Sequence, residues 1–209
     1  MKIVMFGDSI TDMGHQGEVG TVHSYGDGYP FIVCSRLGDE APTKYEIINK
    51  GISGNKTVDL YARIKKDVWN LEPDVLSILI GVNDVWHELG GNNGVELKRF
   101  ERIYRMILDD TLERLPNLKI MLLEPFFLRG TAVEHLGYEG FTQVFDYAKV
   151  VKKLAEEYRL TYIPLQDKFN EMAEKYGAEY YLYDGVHPSV AGATLIANEW
   201  LKGFKKLEK

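Results

Sequence analysis

Five short apolar runs, each followed by a longer amphipathic stretch, constrain this chain more than any other feature. The runs are Ile3–Phe6, Tyr45–Asn49, Val75–Ile80, Ile120–Leu123 and Thr161–Pro164. They have the length of strands, and the third is apolar almost throughout, as suits a central parallel strand buried on both faces. Between them the spacing predicts helices over 29–37 (stopped by Gly38), 57–70, 94–115, 142–158 and 167–176. The 94–115 segment shows the period most plainly, with Phe100, Ile103, Tyr104, Ile107, Leu108 and Leu112 on one face. Ser189 is placed to cap a last helix running to about Phe204. Such alternation over the whole length predicts one α/β domain, residues 1–209, with a five-stranded parallel sheet and helices on both faces. Right-handed crossovers are expected. Ligands of such sheets bind beyond the carboxyl ends of the strands. The insertions at 14–28, 90–94 and 125–140 all follow strands, so they are expected to surround one site.

Composition narrows the function classes. An apolar content of 45% in 209 residues supplies a packed core. The net charge is −6, and basic residues gather only in the tail after Lys202, so no nucleic-acid or anionic-membrane surface is expected. The single cysteine, Cys34, lies in an apolar stretch and reads as a small buried side chain. It allows neither an internal disulfide nor a cysteine-based zinc cluster. No run reaches membrane-spanning length, and Ile3–Phe6 is too short for a signal peptide's apolar region. The expected location is the cytoplasm.

Four polar motifs carry the chemistry. Gly7-Asp8-Ser9 follows the first strand and Asn49-Lys50-Gly51-Ile52-Ser53-Gly54-Asn55 the second. Gly81-Val82-Asn83-Asp84 follows the third, and Asp184-Gly185-Val186-His187-Pro188 precedes the last helix. Each alone reads as turn chemistry. Together they supply what acyl transfer requires. Ser9 is the nucleophile, which needs a base to take its proton. His187 is the base, and Asp184, three residues earlier, orients its ring. The N–H groups of Ser9 and Gly54 and the side-chain amide of Asn83 are donors for an oxyanion. The other histidines, His15, His23, His87 and His135, lack this arrangement. Asp8, Asp12, Asp84 and His87 match no metal-ligand spacing, so no metal is expected. Neither a Walker A loop, a dinucleotide glycine pattern nor a G-x-S-x-G elbow is present.

In this order the four motifs resemble the SGNH (GDSL) hydrolase superfamily, over nearly the whole chain. The resemblance implies a flavodoxin-like three-layer α/β/α sandwich. It also implies Ser9, His187 and Asp184 as catalytic triad, and Ser9, Gly54 and Asn83 as oxyanion hole. The stretches around Ser9, Gly54, Asn83 and His187 look most like the intracellular acetylxylan esterase branch, whose members deacetylate xylo-oligosaccharides without a cofactor. That branch would carry Trp where this chain has Tyr183. The substrate side is assigned to Asp8, Trp86 and Tyr183, with Tyr25 and Tyr29 also near the motifs. The expected partner is a small acetylated sugar or another short-acyl ester.

Two other readings stay open. A lysophospholipase or thioesterase would use the same triad, with Phe126, Phe127 and Leu128 contributing an apolar acyl groove. A sugar-binding protein with a degenerate site is opposed by the presence of every catalytic position. The resemblance also implies a homo-oligomer, for which Phe126-Phe127-Leu128 and Trp200, Leu201 and Phe204 are candidate contacts.

Overall fold

The computed structural model describes residues 1–208. Its strands are β1 (Lys2–Gly7), β2 (Glu46–Gly51), β3 (Val75–Leu79), β4 (Lys119–Leu123) and β5 (Thr161–Ile163). The helices α1 (Ser9–Asp12) and α2 (Tyr29–Glu40) follow β1, and α3 (Thr57–Asp67) follows β2. After β3 come α4 (Val82–Gly91) and α5 (Leu97–Arg114). After β4 come α6 (Thr131–Leu136), α7 (Tyr138–Phe141) and α8 (Val144–Glu157). The chain ends with α9 (Gln166–Tyr176), α10 (Ala178–Tyr181) and α11 (Val190–Leu207).

All five strands pair in parallel, in the order β2-β1-β3-β4-β5. The chain steps from β1 to one side and then returns past β1 to the other. The resulting switch point lies between β1 and β3, where a crevice opens beyond the strand ends. β1 is fully buried from Ile3 to Phe6. Helices α2 and α11 cover one face of the sheet, and α3, α5 and α8 cover the other. This is the three-layer sandwich the alternation predicts.

Local chemistry explains the helices that hold the layers. In α5 the buried positions Phe100, Tyr104, Ile107, Leu108 and Thr111 repeat at helical spacing. Ser189 caps α11 as expected, its Oγ accepting from Ala191 N and Gly192 N at 3.2 and 3.3 Å. Trp200 is fully buried, and its Nε1 donates to Ser77 Oγ at 3.0 Å, fixing α11 over β3.

The structure departs from expectation in several places. Helix α2 runs through Gly38 to Glu40. No atom lies within 4 Å of where a Gly38 side chain would sit, so this glycine faces open space. It costs a helix only about 1 kcal/mol. The predicted 57–70 helix ends at Asp67 and tightens into a 3-10 turn over Trp69–Leu71. The residues before α5 form a separate helix, α4, where a loop was expected. Trp200, Leu201 and Phe204 are 0%, 9% and 0% exposed. These tail residues are core beneath the sheet, which removes them as contacts for self-association. No helix of the described residues is long and apolar enough to cross a membrane.

Candidate active site

Three adjacent strands deliver the three motif loops to the switch point. Ser9 opens α1 immediately beyond β1. Gly54 lies beyond β2, and Asn83 is in the first turn of α4, beyond β3. Asp184 and His187 come from the loop between α10 and α11, which is pinned by an antiparallel bridge between Leu182 and Pro188. Tyr183 N also donates to His187 O at 3.1 Å.

A continuous hydrogen-bonded chain results. Ser9 Oγ lies 2.9 Å from His187 Nε2, and His187 Nδ1 lies 2.7 Å from Asp184 Oδ2. Asp184 Oδ1 accepts from His187 N at 2.8 Å and Val186 N at 2.9 Å. With the Nδ1 proton given to Asp184, Nε2 is left as an acceptor for the serine proton. The bond to Asp184 raises the His187 pKa above the ordinary histidine value, while burial pulls it down less strongly. Burial pushes the Asp184 carboxyl up. The bonds from the His187 ring, His187 N and Val186 N outweigh it and hold that carboxyl below its usual range.

Gly54 and Asn83, the expected oxyanion donors, lie beyond the strands on either side of β1. Asn83 is buried, and one N–H of its amide donates to Asn55 O at 3.1 Å, leaving the other free. Gly54 adopts φ +81, a conformation other residues rarely take. A side chain there would meet only His87 Nε2, at 3.9 Å. Glycine is required at 54 by the backbone angle and not by crowding.

The substrate side is corrected in part. Asp8 is fully buried, so its side chain cannot touch a substrate. Its Oδ1 accepts from Ile10 N at 3.0 Å, capping α1, and Oδ2 is buried without a protein partner. Burial raises its pKa to about 7, with the nearby His187 pulling the other way. Trp86 and Tyr183 do flank the histidine. The Trp86 ring is centred 5.8 Å from the His187 ring, and the Tyr183 ring stacks at 5.8 Å with a 17° interplanar angle. Tyr183 is 57% exposed. Tyr29 is core, its hydroxyl bonded to Thr11 Oγ1 at 3.1 Å. Phe126, Phe127 and Leu128 are 0%, 2% and 6% exposed. Phe127 and Leu128 border an open recess of about 410 Å³ with Arg129, Tyr138, Asn170 and Glu174, and that recess includes none of Ser9, Asp184 and His187. Among the described residues, no group of three or more His, Cys, Asp or Glu side chains is placed to hold a metal ion. Asp12, for one, is engaged by Ser53 N, Ser53 Oγ and His15 Nδ1 at 2.9, 2.7 and 2.7 Å.

Two residues to which the sequence assigns no catalytic or binding role hold this geometry. Arg63, on α3, donates through Nε to Asn55 Oδ1 at 2.7 Å and through Nη2 to Gly7 O at 3.0 Å. Its Nη1 donates to Lys50 O and to Asp67 Oδ2, both at 2.9 Å. The guanidinium lies 4.3 Å from the centre of the Phe6 ring. One planar fork thus joins the ends of β1 and β2 to the loop of Gly54. The sequence signal was only Asp67 four residues on, which reads equally as a surface helix pair. Asp84 is the second. Its Oδ1 accepts from Thr57 N at 3.1 Å and from Thr57 Oγ1, tying the start of α4 to the start of α3. Burial raises its pKa to about 7.

Arg63→Ala is expected to lower kcat by about 10- to 100-fold with a smaller change in KM, since Asn55 and Gly7 would lose their tether. Stability should fall by about 3 kcal/mol, because Asp67 and the backbone oxygens lose their donor. Arg63→Lys should recover part of the stability but little of kcat, as lysine has no fork. Steady-state kinetics beside thermal melts check this; kcat recovering in step with stability would reduce Arg63 to a purely structural role.

The model of the GDSL-like lipase/acylhydrolase family matches residues 5–195. An acetylxylan esterase of Geobacillus stearothermophilus is 35% identical over 215 aligned residues, which cover 98% of this chain and 94% of that protein. The crystal structure of Axe2, an acetylxylan esterase from the same organism, superposes with a TM-score of 0.85 at 33% identity, over 97% of this chain and 93% of that one. A candidate GDSL-like lipase from Parabacteroides merdae superposes at 0.89 with 38% identity, over 97% and 94%. The sandwich is thus the SGNH hydrolase fold. With the family matched across almost its whole length, this chain belongs to the GDSL-like lipase/acylhydrolase family and is a carboxylic-ester hydrolase.

Proposed function

We propose that this enzyme removes acetyl groups from acetylated carbohydrates such as xylo-oligosaccharides, through an acetyl-enzyme on Ser9. The observation that carries the mechanism is the unbroken chain from Ser9 Oγ through His187 to Asp184. As Ser9 attacks the acetyl carbonyl, His187 Nε2 takes its proton and Asp184 stabilises the imidazolium. Negative charge on the carbonyl oxygen meets the N–H groups of Ser9 and Gly54 and the free amide N–H of Asn83. His187 then returns the proton to the departing sugar hydroxyl. Water, deprotonated by the same ring, releases acetate and restores Ser9. No step draws on a cofactor. The similarity to acetylxylan esterases supports the sugar ester, and the exposed Tyr183 offers a face for a sugar ring. Phe126 is fully buried, and the recess bordered by Phe127 and Leu128 includes none of Ser9, His187 and Asp184, which disfavours the alternative lysophospholipase or thioesterase reading. The cytoplasm, where oligosaccharides taken up by the cell would be met, is the location this reading assigns.

Acetate release from acetylated xylo-oligosaccharides, run beside a chain-length series of nitrophenyl esters, tests the reading. The expected result is release from the sugar esters and a fall in kcat/KM beyond short acyl groups. Preference for octanoate over acetate would defeat it in favour of the lipid alternative.

A further inference from the structure

An open recess of about 440 Å³ lies against the Asp184 end of the Ser9–His187–Asp184 chain. Trp86, Thr131, Ala132, His135, Leu136 and Asp184 line it. Two elements build its walls, and both are tied to the site. Helix α4 carries Asn83 in its first turn and Trp86 in its second. Helix α6 supplies Thr131 to Leu136 and is fastened to the acid of the triad: Ala132 N donates to Asp184 O at 3.0 Å. Next to it, Leu128 N donates to Gly185 O at 2.8 Å. Gly130 passes so close that a Cβ there would fall 2.2 Å from the carbonyl carbon of Asp184 and from Gly185 N. The two helices meet where a Cβ on Gly90 would touch Leu136 at 3.6 Å. On its other side the Trp86 ring packs edge-on against Phe141 at 5.6 Å. The recess is therefore held at a fixed place relative to His187 before anything binds.

Its surface is mainly apolar, with a few polar groups at the edge. Trp86, Ala132 and Leu136 offer an apolar wall, while Thr131 and His135 are exposed polar residues and Asp184 is a carboxylate. A two-carbon acyl group seated on Ser9 does not extend past His187, so the part of the ester within reach of the recess is the alcohol. A pyranose ring has an apolar face for Trp86 and hydroxyls for the polar groups. The exposed Thr131 and His135 at its rim are within reach of water and of ligand hydroxyls alike.

We propose that this recess is the subsite for the sugar portion of the ester, with a pyranose ring held against Trp86 and its hydroxyls met by Thr131 and His135. The proposal rests on the sugar-ester reading above and adds where the sugar sits. Two variants test it, each assayed on acetylated xylobiose and on vinyl acetate, an ester with no ring. Leu136→Trp fills the recess and is expected to lose at least about tenfold more kcat/KM on the sugar ester than on vinyl acetate, a difference of about 1.4 kcal/mol. Thr131→Ala removes one hydroxyl from an exposed position and is expected to raise KM for the sugar ester about threefold with kcat held. A selective loss in either variant supports the subsite, and Thr131→Ala decides alone if Leu136→Trp fails to fold. Equal losses on both esters, or none, overturn it. A wild-type enzyme that cleaves vinyl acetate but leaves acetylated xylobiose intact overturns the sugar-ester reading itself, and the subsite with it.

Discussion

Ser9→Ala is expected to lower kcat by about 10⁴- to 10⁶-fold, the scale on which loss of the nucleophile collapses a serine hydrolase. The expectation follows from geometry, since Ser9 Oγ is the group 2.9 Å from the base. The protein should otherwise be unchanged. Ser9 is only half-buried, and the cap of α1 comes from Asp8, so thermal stability should shift by less than about 0.5 kcal/mol. Turnover on an acetate ester, beside labelling with a serine-directed phosphonate, checks the first half, and a thermal melt checks the second. A variant that still turns over at a tenth of the wild-type rate would show that another group attacks.

Asp184→Asn is expected to cost about 10⁴-fold in kcat. The asparagine oxygen can keep the bonds from His187 N and Val186 N, so the loop should survive. Its amide nitrogen, however, would face His187 Nδ1 and force the ring to carry its proton on Nε2, where Ser9 needs an acceptor. The pH profile carries a second signature. In the wild type the base is neutral only above the His187 pKa, which Asp184 raises. Activity is therefore lost as pH falls through a value above the ordinary histidine range, near 6.5. In the variant the stabilising carboxylate is gone, so the acid limb of kcat/KM should move to lower pH. A limb that stays in place would mean that Asp184 does not govern the ring.

The fold was more legible than the surroundings of the site. Strands announce themselves through unbroken apolar runs, and all five lie within two residues of their predicted bounds. Helix α4 was legible too and was missed. Val82, Val85, Trp86 and Leu89 have helical spacing, but Gly81-Val82-Asn83-Asp84 reads first as a motif in a loop, and Gly90-Gly91 reads as a breaker. The positions around Ser9, Gly54, Asn83, Asp184 and His187 could be read because acyl transfer fixes both residue type and strand-end placement. What aromatic side chains do could not. Tyr29 and Tyr183 are both tyrosines beside a motif, yet one is fully buried and the other 57% exposed. Tyr29 is the first residue of α2 and is packed into the core, whereas Tyr183 lies in the turn between α10 and α11. Asp8 misled for a related reason: a carboxylate beside the nucleophile suggests contact with substrate, whereas its place under α1 buries it. Arg63 showed only its helix pair with Asp67; its other bonds go to backbone oxygens and to Asn55, partners that only the assembled sheet brings within reach.

The bridge between Leu182 and Pro188 has a consequence for how this chemistry can be inherited or transplanted. The proposed acid and base travel as a single cassette, pre-aligned by their own short loop, so the proton relay itself turns on one further distance, that to Ser9 at the end of β1. Length changes elsewhere in the chain leave the proton relay assembled, while one residue gained or lost between Asp184 and His187 dismantles it at a stroke.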